Sequence, residues 1–291
     1  MNKFVAPLTG MLLAASAVGA APGDAVKDLA PSGRLRAAIN FGNPVLAQKD
    51  PATGAPGGVS VALARELGRQ LGVPVDLVPF NEAGQVFEAA KTGAWDVAFL
   101  AIDPVRAAEI GFTAAYVVIE GTYAVPAGST LRTIDAVDRD GVRIGVAQGS
   151  AYDLFLTRTL KQARIVRATN SAAAVALLEQ HQVDALAGVK QPLVDYAKSR
   201  PDVRVIPGRF MEIQQAMGTL KARIIGTAYL TRFVETMKAS GFVAQALAAS
   251  GPHDAAVAPL APGGSPSSPI FTAICRRSMR CWRISPRGTS I

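Results

Sequence analysis

Between Ser32 and Ser250 short apolar runs alternate with amphipathic stretches, and the two spacings separate strands from helices. Leu35–Ile39 predicts a strand, and Val59–Leu71 predicts a helix stopped by Gly72 with Pro74 beyond. Val75–Val78 predicts a strand, Gln85–Lys91 a helix, and Asp96–Ile102 a buried strand ending at Asp103-Pro104. Tyr116–Val125 is a long β-prone run. The order then restarts: Val142–Ala147 strand, Tyr152–Leu160 helix, Ile165–Arg167 strand, Ser171–His181 helix, Val183–Leu186 strand, Pro192–Lys198 helix, Val203–Ile206 strand. Gln214–Leu220 reads as extended, and Tyr229–Ala239 and Phe242–Ala249 as closing helices. Such alternation predicts parallel sheets covered on both faces, and two successive sets predict two α/β lobes. Ligands of open α/β sheets bind beyond the carboxyl ends of the strands, so function is sought in those loops.

With 291 residues, 49% apolar and 18% charged, the chain has enough core for about two domains, and disorder of the whole is excluded. The formal charge of +8 is misleading as a guide to partners. Arg276, Arg277, Arg280, Arg283 and Arg287 all lie in residues 265–291; without them +8 becomes +3, and without Lys3 as well +2. The body carries no basic-aromatic stripe, so no nucleic-acid partner is expected.

The first 21 residues read as a signal peptide: Lys3, the apolar stretch Phe4–Ala17, then Val18-Gly19-Ala20 before a cut. Pro7, Gly10 and the short apolar length weaken a membrane anchor or a buried first helix, and the expected location is periplasmic. Cys275 and Cys281 both lie in the tail, at a spacing that fits no zinc pattern, so no metal or cofactor is expected. Residues 251–291 read as a disordered linker and basic tail, a frameshifted or read-through end rather than a partner-binding extension.

Catalytic signatures are missing. There is no G-x-S-x-G, no H-E-x-x-H, no Walker loop and no G-x-G-x-x-G after a strand. His181 and His253 read as structural. Two strand-to-helix junctions stand out instead. At the first, Asp103 suits an N-cap and Pro104 the first helical position. Arg106 then either pairs with Asp103 or Glu109 or clamps a ligand carboxylate. At the second, Ser150 and Asp153 form a loose capping box after Gly149. Alternatively the amides there face an anion, with Ser150 or Tyr152 adding a hydroxyl.

In this order the junctions resemble the family 3 solute-binding proteins of polar amino-acid ABC transporters. The resemblance runs through SGRLRAAI, GVSVALARELGRQLGVPVDLVPF, GAWDVAFLAI, DPVRAAEIGFTAAY, GVRIGVAQGSAYDLF and AAVALLEQHQVDALAG, over about Ser32–Ser250. It implies an α/β, two-lobed periplasmic-binding-protein fold (type II), hinged by two crossing strands near Ile119–Val125 and Glu212–Gly218. Lobe 1 would comprise 32–121 plus 213–250, and lobe 2 residues 122–212.

By the same resemblance, Arg106 grips the ligand α-carboxylate and Ser150 donates to it. Ala101 and Ala151 stand where the family has Ser or Thr. Val189 and Lys190 stand where an acid meets the ligand ammonium, so Lys190 either attracts an anion or is a solvated helix start. Asp103 and Tyr152 flank these positions, and Phe41, Asn43, Phe80 and Glu82 fall in loops that shape the family pocket. The implied function is a monomeric periplasmic binding protein. It captures a small polar, carboxylate-bearing ligand and delivers it to an ABC transporter permease in the inner membrane. One rival is a periplasmic dehydratase of the cyclohexadienyl/prephenate type, with Lys190 and Glu212 or Glu82 as acid or base. Another is a sensory lobe.

Overall fold

Strand β1 (Leu35–Asn40) lies between β4 (Val75–Phe80) and β5 (Val97–Ala101), parallel to both. The computed structural model describes residues 22–251 and 254–262. Side chains alternate across these strands. Val97, Phe99 and Ala101 enter one apolar cluster, with α2 (Val59–Leu71) and α7 (Ile224–Ala239), while Ala98 and Leu100 enter another with Trp95 and Val86 of α3 (Ala83–Ala89). Burial on both faces is why β5 reads as a continuous apolar run. Helix α2 ends as its sequence requires: Gly72 takes a left-handed φ of 70°, and the Val73 amide donates to Gly68 O at 3.0 Å.

The second half repeats the plan. β7 (Arg143–Ala147) lies between β8 (Arg164–Ala168) and β9 (Ala185–Val189), parallel to both. Helices α4 (Ala151–Thr159), α5 (Ser171–Glu179) and α6 (Lys190–Lys198) connect and cover them. The repeat extends to one polar staple per half. The Arg36 amide and guanidinium grip Asp96, and the Arg143 amide and guanidinium grip Asp184. Each joins the start of a half's first strand to the acid just before its third.

Two long strands join the halves. β6 (Ile110–Pro126) pairs antiparallel with β11 (Met211–Leu220) from Ile110 to Gly121, then with β9 from Gly121 to Ala124. β11 also lies antiparallel to β5. The sheets are therefore mixed, not purely parallel as the strand–helix alternation predicts, because the joining strands return against the others. Short strands β2 (Gln48–Lys49) and β3 (Pro56–Gly57) form a separate hairpin, and β10 (Val203–Val205) pairs with β6.

Both predicted ends of the body need correction. Helix α1 (Pro22–Leu29) buries Ala25 and Leu29 against the first-half core, so that unit begins before residue 32. Helix α8 (Phe242–Ala248) is followed by residues expected to be disordered, yet β12 (Ala256–Val257) pairs with Val118 and Val117 of β6. Buried Lys238 explains the order. Its ammonium donates to Ala115 O at 3.0 Å and Pro259 O at 2.8 Å, and lies 2.8 Å from Glu235 Oε1. The signal-peptide and basic-tail expectations, with Cys275, Cys281 and His253, lie outside the described residues. Lys238→Ala leaves two carbonyls without their donor and is expected to cost roughly 1–3 kcal/mol, read as a lower urea midpoint at constant slope.

Candidate functional site

The carboxyl ends of β1, β5, β7 and β9 converge on a cavity of about 140 Å³ between the halves. A single water needs about 10–15 Å³ on this scale, so the space suits a small metabolite. Arg106, Ser150, Ala101, Ala151, Tyr152, Asn43 and Glu82 all line it.

Arg106 sits in a short 3₁₀ turn, Arg106–Ala108, after β5. Asp103 opens that turn by accepting the Val105 amide at 2.9 Å. The guanidinium is fully buried. Nη1 donates to Ala101 O at 3.0 Å and Nη2 reaches Gly149 O of the other half at 2.8 Å. Its Nε has no partner among the described residues. Burial pushes its pKa down to about 10, opposed by the charge of Asp103. Neither ion pair considered for Arg106 forms. Asp103 instead binds Arg158 of α4 at 2.7 Å, also across the halves, and lies beside the cavity rather than on its wall.

The second junction is a variant of a capping box, with the return bond taken by the residue before the N-cap Ser150. Ser150 Oγ accepts the Asp153 amide at 3.0 Å, and Asp153 Oδ2 accepts the Gly149 amide at 2.8 Å. Arg167 holds the same carboxylate at 3.0 Å. Gly149 has a φ of 70°, which a non-glycine residue adopts only with strain. Its Cα meets Gly84, where an added Cβ would lie 2.8 Å from Gln148 O and 3.3 Å from Gly149 Cα. Capping and cavity lining therefore coexist at Ser150.

Glu82 stands at the N-cap position of α3 but reaches across to α5. Oε1 accepts the Ser171 amide at 2.6 Å, and Oε2 accepts the Ser171 hydroxyl at 3.3 Å. Burial raises its pKa, against the lowering effect of these two bonds. Burial likewise raises that of the Tyr152 hydroxyl, which is close to Ser171.

Besides Asp103, three further residues singled out in the sequence, Lys190, Phe41 and Phe80, are not on the wall. Lys190 opens α6 and turns to the joining strand β6, where its ammonium binds Glu120 at 2.7 Å and approaches Asp254 at 3.6 Å. Glu120 raises the Lys190 pKa, so this charge is engaged as an ion pair rather than facing a ligand. Phe41 packs on the first-half core with the Lys49 ammonium 5.2 Å from its ring centre. Phe80, at the end of β4, packs with the Trp95 cluster. Glu212, the other acid considered for catalysis, pairs with Arg209 and is also off the wall.

Asn40, Ser60, Gln215, Ser171 and Tyr196 line the cavity and were not singled out in the sequence. Gln215 shares β11 with the polar Glu212, Gln214 and Thr219, so its polarity alone did not mark it; the structure buries it where Glu212 and Gln214 are exposed. Asn43 Oδ1 is buried without a partner among the described residues.

The sequence profile of the bacterial extracellular solute-binding proteins, family 3, matches residues 35–248. The fold is similar to that of the L-cysteine solute receptor of Neisseria gonorrhoeae, at 21% identity and a TM-score of 0.67, covering 78% of this chain and 92% of that one. It is similar to an amino acid ABC transporter substrate-binding protein from Streptococcus pneumoniae bound to L-arginine, at 17% identity and a TM-score of 0.66, covering 78% and 97%. A third likeness is an ancestral amino acid-binding protein described as a precursor of cyclohexadienyl dehydratase, at 21% identity and a TM-score of 0.64, covering 77% and 98%. At these identities the likeness establishes the fold, a type II periplasmic-binding-protein fold. No curated protein sequence matches the chain. The profile match spans most of the chain, from the first strand to the last helix, and the chain belongs to the bacterial extracellular solute-binding proteins, family 3.

Proposed function

We propose that this chain captures a small polar, carboxylate-bearing metabolite between two lobes and delivers it to an ABC transporter permease in the inner membrane. Lobe 1 is residues 22–121 with 213–251 and 254–262, and lobe 2 is residues 122–212. Residues 1–21 direct export to the periplasm, and the protein acts as a monomer. The observation that carries this reading is Arg106, a fully buried guanidinium on the cavity wall with an unpartnered Nε. Such a cation suits a ligand carboxylate. The solved relatives named for L-cysteine and L-arginine support the same ligand chemistry.

Capture requires closure and placed donors, with no bond broken. The dehydratase reading needs two acid–base groups facing one substrate. Lys190 and Glu212 are each engaged with other charges away from the wall, which leaves Glu82 alone. Calorimetric titration with L-amino acids, dicarboxylates and keto acids is expected to give saturable one-to-one binding, with the titrant recovered unchanged. Chemical conversion of the titrant would favour the enzyme.

A further inference from the structure

Four acidic side chains are buried among the described residues: Glu82, Asp96, Asp103 and Asp153. Three have arginine partners. Asp96 binds Arg36 and Arg223, Asp103 binds Arg158, and Asp153 binds Arg167. Glu82 has only the neutral amide and hydroxyl of Ser171, and no lysine or arginine pairs with it among the described residues. Burying a carboxylate without a cation is costly, and a raised pKa is its expected sign.

Arg106 presents the opposite case: a buried guanidinium bonded to two carbonyls and to no carboxylate. One unpaired cation and one unpaired anion thus border a single cavity. An ionised carboxylate offers about four acceptor positions, and Ser171 occupies two, which fixes the group while leaving capacity for a donor.

We infer that Glu82 receives a cationic group of the ligand, so that the cavity selects a small molecule bearing both a carboxylate and an ammonium or guanidinium over a simple carboxylic acid. Glu82 thereby determines specificity. This inference rests on the solute-binding reading above. It assigns the acceptor of positive charge to the β4–α3 junction in the first half, away from Lys190.

The test titrates the full-length chain, Glu82→Gln and Arg106→Ala with L-arginine, L-lysine and L-cysteine. Their desamino counterparts, 5-guanidinopentanoate, 6-aminohexanoate and 3-sulfanylpropanoate, are titrated alongside; the last carries no cation. Glu82→Gln keeps an acceptor for the Ser171 amide and is expected to lose at least tenfold in affinity for the cationic probes that bind. Its affinity for 3-sulfanylpropanoate is expected to hold or improve. A mere closure defect would weaken both classes equally. Glu82→Asp, which keeps the charge, is expected to retain the discrimination, so a folding defect in one variant does not decide the matter. Equal affinity of the native chain and Glu82→Gln for a cationic probe would overturn the inference, as would equal affinity of the native chain for cysteine and its desamino analogue. Failure of the native chain to bind any of the six would overturn the inference, and binding of a dicarboxylate or keto acid in its place would leave the solute-binding reading standing.

Discussion

Arg106→Ala is expected to weaken carboxylate binding by roughly 10- to 150-fold, since a hydrogen bond to a charged group is worth about 1.5–3 kcal/mol. The guanidinium is fully buried, so its charge is little screened by water. Its backbone partners, Ala101 O and Gly149 O, fix its plane from both halves of the molecule. Arg106→Lys keeps a charge but cannot span those two carbonyls in the same planar geometry, and it is expected to recover only part of the affinity. Calorimetric titration at two salt concentrations reads both effects. An Arg106→Ala variant with native affinity would remove this residue from the site.

Gly84→Val is expected to weaken binding by roughly 5- to 150-fold through a different route. At Gly84 even a bare Cβ would press on Gln148 O at 2.8 Å, a backbone atom of the opposing half. Overpacking of this kind costs about 1–3 kcal/mol. The cost falls on the closed arrangement, because the obstructing atoms belong to the other half. The apparent affinity then drops with the fraction of molecules able to close. Small-angle scattering of the variant with ligand should show a larger radius than the native complex, while its far-ultraviolet spectrum stays native. Native affinity in Gly84→Val would mean that Gly84 and Gly149 separate in the bound state.

Much of this architecture was legible along the chain. Val59–Leu71 forms the helix its apolar spacing predicts, down to the Gly72 stop, because local propensity and core packing agree there. The element order restarts after Tyr116–Val125 as the sequence predicts, and each half carries its own Arg–Asp staple. Residues 254–262 depart from the disorder their composition predicts, since they are held by Lys238 and by pairing with β6. At the site, Arg106 and Ser150 were readable from their junctions, where capping chemistry marks a strand end. Lys190 starts a helix, as one of its two readings has it, but its ion pair is not legible because the partner Glu120 lies on a joining strand seventy positions away. Glu82 drew little notice among the loop residues. Its meaning depends on a contrast with three other buried acids that only the tertiary structure provides.

The most direct measurement is the thermal unfolding midpoint of the full-length chain and of Arg106→Ala, each with L-amino acids, dicarboxylates and keto acids in turn. A carboxylate-bearing ligand at about 100 times its dissociation constant stabilises by about 2.7 kcal/mol. That corresponds to a rise of roughly 5–10 °C for a chain of this size. The predicted result is such a rise with one chemical class in the native chain and its loss in Arg106→Ala. An equal rise in both proteins, or no rise in the native chain with any of them, would contradict capture of a carboxylate solute at Arg106.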